Sequence, residues 1–391
     1  MKLHEFQAKE ILAEYGVPVP RGRVARTPDE AAEIATELGG KVVVKAQAHT
    51  GGRGKGGGVK LANSAEEARH AAGEILGMQL VTHQTGEAGL PVHSVLVEEQ
   101  IDIARELYLS IAIDNSAGKP VLIASAAGGM DIEEVAGKTP EAIHRQLIYP
   151  HCGFQPFQGR ALAFAIGLDA DLLRPAAELM GNVARAFEEN DGAIVEINPL
   201  VVTGDGRLIA ADAKFSTDDS ADFRHPRLTE LRDTTQEDAR EVEAHEAGIE
   251  NYVKLDGDIG CLVNGAGLAM ATLDAIKFEG GNSANFLDIG TANNPEAVVT
   301  ALKIICEDPD VKTVLVNVFG GLARTDIIAE GVVQAMTSGM LTQPTVVRLA
   351  GTNVEEGLKI LDDSGLNVIR ADGFAEAAQK SVAAAAAASK G

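Results

Sequence analysis

The sequence predicts an α/β chain in two parts, a mixed α+β half followed by a doubly wound parallel sheet. Two observations carry this. After about residue 253, five apolar strand segments alternate regularly with helical ones. Before about residue 216, helical segments are mixed with hairpin-like pairs of strands. The stretch between, residues 216–250, is polar, charged and poor in apolar periodicity, and reads as a linker. At 391 residues the chain is long enough for two or three domains. The expected division is 1–240 and 241–391.

The first half starts with an amphipathic helix. Leu3, Phe6, Ile11 and Leu12 fall roughly on one face, and Gly16 stops it. After an extended VPVPRGRVA, a second helix opens with Thr27 as N-cap, Pro28 at the first helical position and Glu30 at the capping-box position. KVVVKAQ is a short strand, then come the loop HTGGRGKGGG and a second strand, VKLA. Ser64 caps another helix. Further strands are expected at VHSVLVEE, ELYLSIAID, KPVLIAS, AIVEINPLVV and RLIAADAK. In the second half the strands are GCLVN, NFLDI, TVLVNV, TVVRL and NVIRA, each followed by a helix. The first four strands run into NGAG, GTANN, FGG and AGTN. Ligands of open α/β sheets sit at that edge. The Ala-rich tail reads as the frayed end of the last helix.

Composition excludes several classes. A formal net charge of −23 leaves no basic face for a nucleic acid and fits a well-solvated surface. The 42 glycines show no Gly-X-Y period, which removes collagen and favours glycine-rich loops. Cys152, Cys261 and Cys306 cannot build a disulfide framework, and none has the spacing of a zinc site. The N-terminal segment carries Glu5 and Glu10 and lacks the apolar run of a signal peptide. No apolar run is long enough to span a membrane. A reducing cytoplasm is the expected setting.

Three segments carry chemistry. The basic, glycine-dense loop of residues 45–60 can fold over a polyphosphate, with Lys45, Arg53 and Lys55 supplying charge. Gly56 follows Lys55, so it is not a P-loop. An exposed hairpin loop accounts for this segment equally well. VEINP and AADAK flank a GDGR turn, and a hairpin there brings Glu196, Asn198 and Asp212 together. Such oxygen ligands suit Mg²⁺ on nucleotide phosphates, although a polar hairpin face reads the same way. NGAGLAMA follows a strand and opens a helix, with Asp288 at the end of the next strand. That arrangement allows an NAD-linked oxidoreductase, but Met270 stands where the dinucleotide fingerprint needs Gly or Ala. His151 and His225 read as structural.

The segments MKLHEFQAKEIL, KAQAHTGGRGKGGG, LVTHQTG, KTPEAIH, VEINPLVVT, FRHP, YVKLDGDIGCLVNGAGLAMAT, VNVFGG and VVRLAGTNVEEG together resemble the β subunits of succinyl-CoA synthetases and the related malate–CoA ligases. The likeness spans essentially the whole chain. It implies an ATP-grasp domain followed by a flavodoxin-like CoA-ligase domain. It further implies the reaction acid + CoA + ATP ⇌ acyl-CoA + ADP + phosphate. The route runs through an acyl phosphate and a phosphohistidine on a separate α subunit, which also carries the CoA site. By that resemblance Lys45, Gly52, Arg53 and Gly54 bind nucleotide phosphates. Glu98 and Glu106 contact the base and ribose region. Asn198 and Asp212 hold Mg²⁺, and Glu196 steadies the visiting phosphohistidine. Asn264 and the backbone of Gly321, Leu322 and Ala323 contact the acid. Implied partners are ATP/ADP (or the guanine nucleotides), a short organic acid and the α subunit, as αβ or α₂β₂.

Two departures bear on the acid. Where common family members read LDVGGGA, this chain reads LDIGTANN, with Thr291, Ala292, Asn293 and Asn294 in the loop. Asn294 and Pro295 form a good N-cap and first-turn pair. The second departure is GLAR at residues 321–324. A bulkier, hydrogen-bonding loop is expected to reshape the acid site towards a hydroxylated or sulfonated acid. The alternative is a neutral variant that keeps the helix terminus.

Overall fold

The strand Val42–Ala46 alternates buried and half-buried residues, and that period of two sorts its side chains. Val42, Val44 and Ala46 pack against helices Pro28–Glu37 and Ala65–Ile75, with Ile34, Ala68 and Ala72 in the same core. Lys45 is thereby turned to the opposite face. This strand lies in a four-stranded sheet of order Gly22–Ala25, Val95–Glu99, Val42–Ala46, Val59–Ala62. The computed structural model describes residues 1–249, 251–291 and 294–389. They form two units, Met1–Gln236 and Glu237–Gly391.

The first unit holds a second sheet, ordered Leu208–Ala210, Gly192–Thr203, Ile103–Asp114, Lys119–Ser125, Ile143–Leu147. Helices Glu5–Glu14, Pro156–Ala165 and Leu173–Glu189 contribute to the core on one face, where Leu109, Ile111, Met180, Val195 and Ile197 are fully buried. Burying such side chains stabilises by about 1.5–3 kcal/mol each. Because Val195 and Ile197 face the core, Glu196 and Asn198 are turned to the other side.

The second unit is a parallel sheet buried on both faces. Val314, Val316 and Val318 pack in one core with helices Pro295–Cys306 and Thr325–Thr337. Leu315, Cys261 and Val346 pack in another with helices Ala266–Phe278 and Phe374–Ala388. Ile259–Val263, Thr313–Gly320, Thr345–Gly351 and Val368–Arg370 form the continuous ladder. Asn285–Leu287 lies beside Ile259–Val263 through isolated parallel bridges at each end. Between the bridges, the buried Asn285 side chain accepts from Cys261 N at 2.9 Å and donates to Cys261 O at 2.8 Å. A carboxamide thus replaces one rung. The second strand segment therefore sits outside the first, giving the flavodoxin-like order 2-1-3-4-5.

The caps are found where the sequence puts them. Thr27 accepts from Glu30 N, Ser64 from Glu67 N and Asn294 from Ala297 N. Glu30 reaches one residue past the box, to Arg26 N at 2.7 Å.

Several expectations are corrected. Leu3 lies outside the first helix, which begins at Glu5. RLIAADAK is two strands, Leu208–Ala210 and Lys214–Thr217, separated by a break at residues 211–213. The supposed linker carries short helices and strand residues and buries Ala221, Leu228 and Ala244. The Ala-rich tail is an ordered helix, with Ser381 and Ala385 buried. Its small side chains pack closely on the sheet.

Candidate functional site

Six charged side chains from five chain segments meet in the first unit. Glu5 and Lys9 come from the first helix, and Lys45 and Glu98 from the site face of the four-stranded sheet. Arg53 comes from the glycine-rich loop, and Asp212 from the strand break. Lys45 Nζ lies 2.9 Å from Glu5 Oε1, 2.7 Å from Glu98 Oε2 and 2.7 Å from the Ala211 carbonyl. Lys9 Nζ lies 2.7 Å from Glu5 and 2.6 Å from Glu98, and donates to the same carbonyl at 2.8 Å. Arg53 Nη2 bonds both Asp212 oxygens at 2.8 Å, while Nη1 lies 2.7 Å from Glu5 Oε2. The broken strand explains the shape of the site. Ala211 N donates to Pro199 O, but Pro199 has no N–H to return the bond, so Ala211 O is left to accept from the two ammonium groups.

The charges balance, three against three, and all but Asp212 are nearly sealed from water. Burial works against ionisation of Glu5. Arg53, Lys45 and Lys9 nonetheless hold its carboxyl well below the usual range. Burial likewise opposes the charge on Lys45 and Arg53, and their acidic neighbours raise both further above their ordinary values. Removing one member of such a group leaves an uncompensated buried charge and costs about 3–5 kcal/mol.

The glycine-rich loop is braced by the LVTHQTG segment. Gly51 N donates to Gln84 Oε1 at 2.7 Å, and the Thr50 and Thr82 hydroxyls are 2.7 Å apart. Gly52 and Gly54 are exposed at its tip. Lys214 Nζ is 3.5 Å from Glu196 Oε1.

The register on either side of the strand break aligns the positions of Asn198 and Asp212. The ladder sets Leu200 opposite Ala210 on one side of the break and Glu196 opposite Lys214 on the other. The same register sets Asn198 opposite Asp212. Asn198 Oδ1 accepts from Gly129 N at 2.8 Å, and Nδ2 donates to Met130 O at 3.0 Å. Gly129 has φ +70°, and a Cβ there would collide with the Glu106 carboxylate. Asn198, Glu106 and the loop around Gly129 are therefore neighbours. A carboxylate and an amide oxygen are hard donors of the kind Mg²⁺ takes alongside water. Among the described residues, no group of three or more His, Cys, Asp or Glu could hold a metal. An Asn–Asp pair is outside that class.

Glu98 is 2% exposed, and its carboxylate oxygens are held by Lys9 and Lys45.

In the second unit the strand-end loops are tied by backbone bonds. Asn264 spans two strands, donating to Phe319 O and accepting from Phe319 N, both at 2.9 Å. Asp288 Oδ1 accepts from Gly265 N at 2.6 Å and Gly290 N at 2.8 Å. Gly351, at φ +90°, leaves no room for a Cβ beside the Gly320 carbonyl, and Thr352 N donates to that carbonyl at 2.8 Å. Leu322 is 83% exposed, whereas Ala323 is buried. A cavity of about 550 Å³ is lined by Asn264, Gly267, Leu268, Phe319, Arg348 and Phe374, among others. Thr291 is exposed. Ala292 and Asn293 lie outside the described residues.

Sequence comparison agrees with this division of labour. The ATP-grasp domain family matches residues 2–202, and the CoA-ligase family matches residues 262–382. Curated β subunits of ADP-forming succinate–CoA ligase match nearly end to end. The protein of Koribacter versatilis is 55% identical over 98% of this chain and 99% of its own. That of Geobacillus kaustophilus is 54% identical over 98% and 99%. The chain belongs to the succinate–CoA ligase β-subunit family. Among solved structures, the ATP citrate lyase of Methanothrix soehngenii shares the fold. Its TM-score is 0.73 at 20% identity, covering 98% of this chain and 99% of that one.

For a member of this ligase family, the residues missed at the sequence level are informative. Glu5 and Lys9 share a helix face with Ala8 and Leu12, all four buried. Charges standing on an apolar stripe were the available signal. Gly129 carried none, because its role depends on a strand register set elsewhere.

Proposed function

We propose that this chain is the nucleotide-handling β subunit of an ADP-forming acid–CoA ligase, with succinate as the default acid. The overall reaction is acid + CoA + ATP ⇌ acyl-CoA + ADP + phosphate. ATP phosphorylates a histidine of the α subunit and leaves as ADP. The phosphoryl group then passes to the acid carboxylate, and the CoA thiol displaces phosphate from the acyl phosphate. Dividing the transfer this way replaces one hard step with several easier ones.

One observation supports the reading above others. Asn198 stands opposite Asp212 at a strand break, and Asp212 is bonded to Arg53 of the glycine-rich loop. Asn198 and Asp212 would hold Mg²⁺, which neutralises charge on the transferring phosphoryl group. Lys45 and Arg53 supply fixed positive charge, and exposed Gly52 and Gly54 let the backbone approach the phosphates. Glu196, with Lys214 beside it, would meet the α-subunit phosphohistidine. Glu106 would meet the nucleoside. Asn264 and the backbone of residues 321–323 would receive the acid, with the α subunit completing the pocket. Thr291, Asn293 and Asn294 would tune which acid is preferred.

The test is reconstitution with a cognate α subunit. ADP formation should require both CoA and an acid, and the purified β chain alone should form no acyl-CoA. Turnover by β alone, or NADH formation, would sink the reading. A panel of succinate, malate and sulfonated acids, compared by kcat/KM, identifies the acid. The same assay with GTP identifies the nucleotide.

A further inference from the structure

The proposed site is already neutralised before any nucleotide arrives. A lysine ammonium has three donors. Those of Lys45 are matched by Glu5, Glu98 and the Ala211 carbonyl, all within 2.9 Å. No donor of Lys45 is left for a phosphate. Arg53 is committed to Asp212, to the Ala46 carbonyl at 3.0 Å, and to Glu5. For Lys45 to meet a phosphate, one of these acceptors must give way.

The acceptors are not equally held. Both Glu98 oxygens accept well-formed bonds from Lys9. Asp212 takes two from Arg53. Glu5 accepts a directed bond at Oε1 alone, from Lys45 at 2.9 Å. Its Oε2 lies 2.7 Å from Arg53 Nη1, yet this buried oxygen has no properly directed hydrogen bond. Glu5 also touches all three cations, so its charge is shared among Lys9, Lys45 and Arg53. A buried carboxylate at this junction is the counter-ion that an incoming polyphosphate competes with.

We infer that Glu5 sets the nucleotide affinity of the site, as an internal counter-ion that the phosphates displace from Lys45 and Arg53. The inference rests on the nucleotide-site reading above. Its direction is specific. Neutralising Glu5 leaves the empty site with three buried cations and two anions. The liganded site loses less, because phosphate supplies the missing charge. Nucleotide should therefore bind more tightly, whereas a residue that merely shapes the site would weaken binding when changed.

The experiment titrates MgADP into the dephosphorylated αβ complex by calorimetry. Glu5→Gln should lower the Kd by about tenfold or more. In turnover the same variant should show a lower KM for ATP together with a lower kcat, since ADP leaves more slowly. Glu5→Asp retracts the carboxylate but keeps its charge, and should fall between wild type and Glu5→Gln. It carries the test alone if Glu5→Gln does not fold. A wild type that binds MgADP, with variants that bind equally or more weakly, overturns the inference and leaves the nucleotide site standing. A wild type that binds no MgADP overturns both.

Discussion

The two units build their sites from different materials. The first assembles full charges in a nearly dry setting, where Lys9, Lys45, Arg53, Glu5, Glu98 and Asp212 satisfy one another. The second organises loops with hydrogen bonds to backbone, through Asn264, Asp288 and Thr352. A site for polyphosphate needs fixed charge whose energy is high because water is absent. The acid site proposed for the second unit needs loop shape, and neutral or singly charged caps would provide it. The lesson is that the first site is tuned by charge balance and the second by geometry.

Asp212→Ala breaks the first kind of site most severely. Phosphorylation of the partner histidine from ATP should fall by about 10³-fold or more, with the fold kept but destabilised, because Asp212 is partly exposed while its partner Arg53 is buried. Gel transfer of labelled phosphate, alongside thermal unfolding, measures it. Normal labelling would remove Asp212 from the Mg²⁺ assignment.

Acid sharpens the contrast. The folded-state pKa of Glu5 is depressed, so its stabilisation is present above its unfolded value of about 4.3 and is lost as pH falls through the lower folded value. Amide hydrogen exchange should show the segments around Glu5 opening more as pH drops in that range. Glu5→Gln should flatten this dependence, and an unaltered slope would argue against it.

A change in the second unit should behave differently. Asp288→Ala leaves the N–H groups of Gly265 and Gly290 without their partner, at a cost of about 1–3 kcal/mol in urea unfolding. MgADP affinity should be unchanged while KM for the acid rises. Reverting Thr291 and Ala292 to glycine should move acid selectivity towards succinate by about 1–3 kcal/mol if Thr291 bonds the substrate. Identical preference ratios before and after would assign the loop a neutral role.

The smallest effect concerns thiols. Burial pushes the Cys261 thiol up to about 12, whereas Cys152 is exposed. Maleimide at neutral pH should label Cys152 in the folded chain and Cys261 only after denaturation. Mass spectrometry reads both.

The sequence by itself determined the local architecture. Alternation in Val42–Ala46 separates a valine face from Lys45, and Thr27, Ser64 and Asn294 mark helix starts. These signals are legible because they depend on neighbours within a turn or along one strand. The alternation of apolar strands with helices in the second half was legible for the same reason. The burial of Glu5 and Lys9, the interrupted strand at Ala211 and the lysine-bound Glu98 were decided only in three dimensions. Arg53 meets Asp212 across 159 positions of sequence, and Lys45 meets Glu5 across 40. An i,i+4 pair such as Glu5 and Lys9 has the same local pattern on a wet surface as in a sealed cluster. Only long-range packing removes the water, and removing the water is what gives those charges their strength.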